Sequence, residues 1–508
     1  MKVETKIKSL EELVQIIEGF KEEGKKVVLS HGIFDLIHPG TIRHLESAKK
    51  QGDILVVTII KNRDVCRGPS RPIFDEDLRL RNVAAIEYVD YVCLVDDTIP
   101  FECLKIIKPD IFAKGEVYQE RDKEIFQILK YEEEAIRIAG CEIHFTPGTP
   151  VSSTHIINRF LDVYPEETKR YLNEFSEKYN DLRIAKELKD LKDLKVLVIG
   201  DGIIDEYHYC ESMGKSAKDH LVVSKYLSSE SFAGGTFAIA NHISGLCQEV
   251  ELVTLLGRKD SKEDFIMGKM RPNIKSRFFY REDAPTIVKR RFVHQYLNQK
   301  LFEVCYMNDD NISQECENRI CEYLSTQIPE YDLVLVADFG HGLITNGLIN
   351  LIEDKAKVLT VNTQTNSANA GFNMITKYKD VDFVCLDEPE ARLAAQDRHG
   401  NMNDIMAMIA KQINAKYLIV TRGSSGSIGF NPQTGFIKTP AFATKVVDRI
   451  GAGDALFAFT SACFAKGMPL DLVSFIGNAV GAMAVQIVCN REPVEPDKLI
   501  ELISALLK

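Results

Sequence analysis

The spacing of apolar and polar positions predicts two sheet-and-helix assemblies joined by a charged segment. Two short β-branched runs end in glycine: one begins at Lys26 (KVVLSHG), the other at Leu194 (LKVLVIGDG). Each has the continuous hydrophobicity of a buried parallel strand at the start of an α/β domain. After the first, Ile54–Ile60, Tyr91–Val95 and Ile111–Ala113 read as strands, and Ile42–Lys50, Glu76–Tyr88 and Lys123–Ala139 as helices. After the second, Leu252–Leu256, Leu333–Ala337, Val358–Val361, Phe383–Leu386 and Tyr417–Thr421 read as strands. Such alternation argues for parallel sheets with helices on both faces. Residues Tyr207 to Ser231 instead alternate apolar and polar positions, which predicts a small antiparallel appendage. Pro165–Asp193 is rich in Glu and Lys and has no glycine, so it reads as a charged linking helix or as the last helix of the first domain. The expected domains are residues 1–165, a linker over 166–192, and residues 193–508.

Composition narrows the classes. The 508 residues are 45% hydrophobic and 27% charged, the mix of a folded chain. A net charge of −11 lacks the positive field of a nonspecific nucleic-acid binder, so no nucleic-acid partner is expected. Twelve scattered cysteines include no CxxC pair, which excludes zinc-site spacing and fits a reducing compartment. The charged start MKVETKIKSLEELVQ has no signal-peptide core, and the apolar run near Ala479–Cys489 is too short to cross a bilayer. The expectation is a cytoplasmic protein with no membrane partner.

Candidate chemistry lies at the strand ends. In Ser30-His-Gly-Ile-Phe-Asp-Leu-Ile-His-Pro-Gly-Thr-Ile-Arg-His-Leu45 a glycine-containing turn opens a helix, where backbone N–H groups favour phosphate. His38 at that turn is placed to hydrogen-bond a phosphoryl oxygen. This segment, RGPSRPIFDEDLR within Lys61–Arg79, Lys114-Gly115, and VSSTHIIN from Val151 together resemble the cytidylyltransferase-like nucleotidyltransferases over about 130 residues. The resemblance implies a nucleotide site built from Gly32, Phe34, Asp35, Gly40, Thr41, Arg71, Arg79, Lys114, Ser152, Ser153 and Thr154, with His38 catalytic. One departure stands out: the second histidine of the family's HxGH motif is Thr41, which cannot carry positive charge. Arg43 and His44 are candidate substitutes.

In the second half, Val446-Val-Asp-Arg-Ile-Gly-Ala-Gly-Asp-Ala-Leu-Phe457 places small residues before an apolar helix, with Asp454 set to accept a proton from a hydroxyl. Phe232-Ala-Gly-Gly-Thr-Phe-Ala-Ile-Ala-Asn241 supplies a second glycine turn, and Asp201 and Asp205 follow the first strand. With Asp387-Glu-Pro-Glu390 and Thr421-Arg-Gly-Ser-Ser-Gly426, these elements resemble the PfkB (ribokinase-like) carbohydrate kinases over roughly the last 315 residues. The resemblance implies Asp454 as catalytic base and Gly451, Ala452 and Gly453 as anion hole. It implies Asp205, Gly234, Gly235 and Asn241 at the sugar, and Thr421, Gly423, Gly426 and Asn478 near ATP. Asp387 and Glu390 match an NxxE element that holds hydrated magnesium, with Asp in place of Asn. Lys215, Lys218, Lys289 and Arg291 are candidate partners for a phosphate already on the sugar. Gly214-Lys-Ser is the only GK[ST] triplet, and Tyr209 stands where a Walker loop needs glycine, so that loop is excluded.

Together the halves resemble the bifunctional heptose 7-phosphate kinase/heptose 1-phosphate adenylyltransferase family, with reversed order and with Val361-Asn-Thr-Gln364 replacing an expected Asp-Pro-Lys. The implied fold is an N-terminal Rossmann-like nucleotidyltransferase domain and a C-terminal ribokinase-like three-layer α/β/α domain with a small β lid. The implied partners are a sugar or sugar phosphate, Mg2+ and ATP, with CTP an alternative for the first domain, in a homodimer. Two contrasting readings stand beside it: the same folds acting with CTP on another sugar or polyol phosphate, or an active kinase whose first domain is a nucleotide-binding regulatory or assembly module.

Overall fold

The computed structural model describes residues 2–65, 71–96, 101–115, 136–146, 163–296, 298–367 and 369–507, which fall into two compact units, 1–187 with 500–508, and 188–499. Ser152, Ser153, Thr154 and most of the helix expected over Lys123–Ala139 lie outside the described residues.

In the first unit β1 (Val27–Gly32), β2 (Ile54–Ile60), β3 (Tyr91–Val95), β4 (Ile111–Gly115) and β5 (Glu142–Thr146) form a parallel sheet in the order β3-β2-β1-β4-β5. Val28, Leu55 and Val57 pack into one apolar layer, and Val27, Leu29 and Val56 into the other, so both faces are covered. That is why these strands carry no polar alternation. The order reverses at β1, and a crevice forms at the carboxyl ends of strands beside such a reversal. The charged segment is two helices, Glu166–Lys178 and Asp181–Lys189, rather than one. Asn180 breaks it: its Oδ1 accepts from the Arg183 amide at 2.7 Å and so starts a new helix. Leu172, Phe175, Tyr179, Ile184 and Ala185 are buried, giving this segment an apolar face.

The second unit holds a nine-stranded sheet. Its strands are β6 (Lys195–Gly200), β9 (Glu249–Lys259), β10 (Ile274–Pro285), β13 (Leu333–Asp338), β14 (Leu359–Thr363), β15 (Phe383–Asp387), β16 (Tyr417–Thr421), β17 (Ser427–Asn431) and β18 (Gly435–Thr439). The order is β10-β9-β6-β13-β14-β15-β16-β17-β18, parallel up to β16 and antiparallel beyond it. The switch point lies between β6 and β13, which aims the carboxyl ends of β6, β13, β14 and β15 at one crevice. The expected appendage is a four-stranded sheet, β12-β11-β7-β8, built from β7 (Gly202–Lys215), β8 (Val222–Gly235), β11 (Ile287–His294) and β12 (Gln299–Tyr306). Strand β12 is its edge and is exposed along its whole length. No helix among the described residues is long and apolar enough to cross a membrane.

Candidate active site

The second unit assembles its site around a glycine-capped helix. Gly451 has φ +87°, a left-handed conformation that glycine adopts without strain. A Cβ there would overlap the Asn490 side chain, while a Cβ on Gly453 would meet nothing within 4 Å. The helix Ala452–Ala465 has no side-chain cap; the Ala452 amide reaches the Arg449 carbonyl at 3.4 Å, and the amides of Gly453 and Asp454 that follow it have no acceptor within the helix. Its apolar side chains are buried and pack it against β13 and β15. Asp454, in that first turn, is 7% exposed. Burial pushes its carboxyl up to about 7; Asp205 adds to the rise, while Gln364 and Lys289 oppose it. A carboxylate poised there suits a general base working near neutrality.

The second glycine turn lies beside the first. Gly235 has φ +56° and caps the helix Thr236–Ile243. A Cβ on Gly234 would overlap the Asp205 carboxylate and stand 3.5 Å from Asn490 Nδ2. The Asn490 amide therefore borders both turns. Asp205 on β7 is ion-paired with Arg291 on β11, and Arg291 reaches Glu303 on β12 at 2.7 Å. Arg291 thus braces Asp205 across the small sheet and is already charge-matched. Asn241 lies further along the helix; its amide donates to the Lys269 carbonyl at 3.1 Å and accepts from the Arg271 amide at 3.2 Å. Lys218 is exposed in the turn between β7 and β8. Asp201 serves the backbone, accepting from the amides of Phe339 and His341 at 3.1 and 3.3 Å.

On the far side, Gly426 has φ +78° and no room for a Cβ under the Thr439 carbonyl, and Gly423 has φ +55°. Thr421 ends β16 and contacts the Leu386 carbonyl at 3.4 Å. Asn478 is buried, with its amide donating to Ser427 Oγ at 2.6 Å and the Ser474 carbonyl at 2.8 Å. Asp387 and Glu390 form a reciprocal capping box at the start of the helix Glu388–Ala395. Asp387 Oδ1 accepts from the Glu390 amide, and the two Glu390 oxygens accept from the amides of Thr365 and Asp387. Burial and the neighbouring Asp387 push Glu390 up to about 8. Carboxylate oxygens keep spare lone pairs, so this pair fits a hydrated magnesium ion better than direct ligation. No group of three or more metal-ligating side chains occurs among the described residues.

The first unit treats its expected site residues differently. His38 caps the helix Pro39–Lys49, its Nδ1 accepting from the Gly40 amide at 3.1 Å. Burial lowers its pKa, and because Nδ1 accepts, the ring's proton sits on Nε2. Phe34 has φ +52°, and its ring covers Gly32 at the end of β1. Asp35 is 2% exposed and accepts from the amides of Ile73 and Phe74 at 2.9 Å, tying the Arg71 loop to the His38 turn. Arg79 is fully buried, donating to the carbonyls of Phe74, Ile33 and Ile60 and to Asn62 Oδ1 at 2.6–3.0 Å. Its guanidinium clamps the loops from within. Arg71, Thr41 and Lys114 are half-buried around the same strand ends. His44 does not supply the cation that Thr41 lacks. It bridges Ser30 Oγ at 2.8 Å and Thr146 Oγ1 at 2.5 Å, and burial, with His144, pushes its pKa down to about 4. Arg43 is exposed.

Residues 193–495 match the profile of the pfkB family carbohydrate kinases, three-fifths of the chain. The chain belongs to the pfkB family. Residues 29–159 of this pfkB protein also match the cytidylyltransferase-like profile, so the nucleotidyltransferase-like segment precedes the kinase-like one. Curated relatives include the "Bifunctional protein HldE" of Trichlorobacter lovleyi, 34% identical over 166 residues, which are 32% of this chain and 33% of the relative. That of Sulfurimonas denitrificans is 43% identical over 115 residues, 22% of this chain and 24% of the relative. The chain thus spans a quarter to a third of the length of these relatives. Phosphofructokinase-2 from Escherichia coli in complex with potassium superposes with a TM-score of 0.50 and 13% identity, covering 62% of this chain and all of that one. At that identity the likeness shows the ribokinase-like fold alone.

Two pfkB-unit residues escaped the sequence reading. Gln364 donates to Asp454 at 2.7 Å, although only its departure from Asp-Pro-Lys marked it. Asn490 gave no signal, because nothing local tells that the chain after an apolar helix returns to the glycine turns.

Proposed function

We propose that the chain is a bifunctional sugar-activating enzyme. The observation that carries the kinase reading is Asp454, buried in the first turn of a helix whose open amides face the same space. Asp454 takes the proton of the acceptor hydroxyl as its oxygen bonds to the γ-phosphorus of ATP. The bond from that phosphorus to the bridging oxygen breaks, and ADP leaves with the electron pair. The amides of residues 451–454 stabilise the charge on the transferring group. Asp205, held by Arg291, and Asn490 orient the acceptor, while Thr421, Gly423, Gly426 and Asn478 shape the nucleotide side. Asp387 and Glu390 would hold magnesium through water, and the ion would supply charge neutralisation at the nucleotide's phosphates.

In the first unit a sugar phosphate oxygen attacks the α-phosphorus of a nucleoside triphosphate, and pyrophosphate leaves. His38 donates from Nε2 to a phosphoryl oxygen at a helix N-terminus, with Arg71, Lys114 and the Ser152–Thr154 hydroxyls as further donors. Asp35 and Arg79 hold the loops that carry them. The acceptor we favour for the kinase is a heptose 7-phosphate, phosphorylated at its anomeric hydroxyl; the first unit takes a sugar 1-phosphate as a separate substrate and gives an ADP-sugar and pyrophosphate. The apolar side chains exposed on the small sheet, among them Val222, Tyr226 and Phe302, support a homodimer.

A second reading, an active kinase carrying a nucleotide-binding regulatory module, draws on Thr41 and on the neutral, internally bonded His44. Incubating the purified chain with heptose 7-phosphate and, separately, with sugar 1-phosphates, each with ATP or CTP and a mass-spectrometric readout, separates the two. Sugar bisphosphate and pyrophosphate-linked nucleotide sugar are expected. Phosphorylation without nucleotidyl transfer selects the regulatory module, and neither product overturns the proposal.

A further inference from the structure

Beside Asp454 stands an ordered chain of side-chain amides whose direction is fixed at one end by a group that can only accept. Asn362 Nδ2 donates to the Cys385 carbonyl at 2.7 Å. Its Oδ1 must then be the acceptor facing Gln364, whose Nε2 lies 3.1 Å away. The same Nε2 reaches Asp454 Oδ1 at 2.7 Å, so both N–H groups of Gln364 are spent and its amide cannot turn over. The backbone locks it too: Gln364 N donates to the Asp338 carbonyl at 2.9 Å, and Asn373 Nδ2 donates to the Gln364 carbonyl at 3.1 Å. Hydrogen bonds from β13, β14 and β15 therefore fix Gln364, and Gln364 alone of these groups reaches Asp454.

We propose that Gln364 is the positioning residue for the phosphoryl-transfer base. It pins Oδ1 of Asp454, leaves Oδ2 for the acceptor hydroxyl, and as a neutral partner keeps the carboxylate basic. This rests on the reading of Asp454 as the base. The other titratable groups that bear on Asp454 are Asp205 on β7, Lys289 on β11 and Cys385 on β15. Asp205 raises its proton affinity and Lys289 lowers it, and a buried carboxyl at about 7 is the net result. A cation at position 364 would collapse that affinity, because an ammonium close to a buried carboxylate favours its ionised form. An apolar residue there would raise it and free the carboxylate to rotate.

The test compares wild type, Gln364→Met, Gln364→Lys and Asp454→Asn in the full chain, each checked by thermal melt. With ATP and heptose 7-phosphate, Gln364→Met is expected to lose roughly tenfold to a hundredfold in kcat with little change in KM for ATP. Its acidic limb should move up by about one pH unit, and that of Gln364→Lys down by about one or more. Carbon-13 NMR titration of the aspartate carboxyls reads the same order without sugar, the Asp454→Asn spectrum identifying the Asp454 resonance. Opposite shifts in the two variants support the proposal, since loss of packing alone would not reverse sign. Coincident limbs or titrations overturn Gln364 alone. Turnover that survives in Asp454→Asn overturns the base as well.

Discussion

The two units use the same residue types in opposite ways. In the pfkB unit the central motif keeps groups uncommitted: the helix from Ala452 has no side-chain cap, nothing stands against Gly453, and Gln364 holds one oxygen of Asp454, while Asp201, Asn241 and Asn478 are spent on the protein. In the first unit, two of the expected cationic groups face inward. Arg79 spends its guanidinium on three carbonyls and an amide, and His44 is neutral between two hydroxyls. A motif thus mixes residues that meet the substrate with residues that hold the loop which does. Hydrogen-bond inventory tells them apart, because a donor already satisfied by protein has little left for phosphate.

The contrast can be tested, beginning where the effect should be largest. Asp454→Asn should lower phosphorylation by roughly 10²–10⁴-fold while ATP affinity, followed by calorimetry, stays within a few-fold. The same variant should be more stable than wild type at pH 8 and lose that advantage at acid pH. A carboxyl whose folded pKa is raised favours the fold while protonated, and this contribution disappears as pH rises through about 7. Equal melting curves at both pH values would contradict the burial argument.

Next comes Thr41→His, which should raise pyrophosphate release by on the order of a hundredfold if a missing donor is what limits the first unit. An unchanged rate would point to compensation elsewhere in the site or to a site without turnover. Arg79→Met should destabilise the first unfolding transition of the full chain in urea, by roughly 1–3 kcal/mol for each carbonyl left without a donor. A stable variant with weakened nucleotide binding would instead make Arg79 a ligand. The smallest effect is expected at the capping box. Asp387→Asn keeps an acceptor for the Glu390 amide, so stability should change by under about 1 kcal/mol, while the magnesium concentration for half-maximal kinase turnover rises. No change in magnesium response would leave the pair as a cap alone.

Strands were legible because both faces of each parallel sheet are covered, which imposes continuous apolar runs such as Ile54–Ile60. The antiparallel β7–β8 pair of the small sheet was legible from its alternation, while its parallel β7–β11 pairing was not, and the glycine turns were legible from small residues preceding an apolar helix. What escaped was non-local. Burial at Arg79 is set by the loops of Ile33, Ile60 and Phe74 closing over it, and the run of charge around it reads as surface. The break at Asn180 was missed because asparagine is tolerated within charged helices and caps only when its backbone turns. Gln364 and Asn490 owe their places to strand order and to a returning chain, neither of which is encoded near them.

One carboxylate in the pfkB unit joins parts that look independent. Asp448, three residues before Gly451, accepts from Tyr207 on β7 and from Lys300 on β12, each at 2.6 Å, and from the backbone amides of Ile450 and Cys489 at 3.2 and 3.1 Å. The outer edge strand is thereby geared to the phosphate-facing turn. A shift of either β12 or the turn at Gly451 therefore costs Asp448 a hydrogen bond, so the two parts hold one another in place.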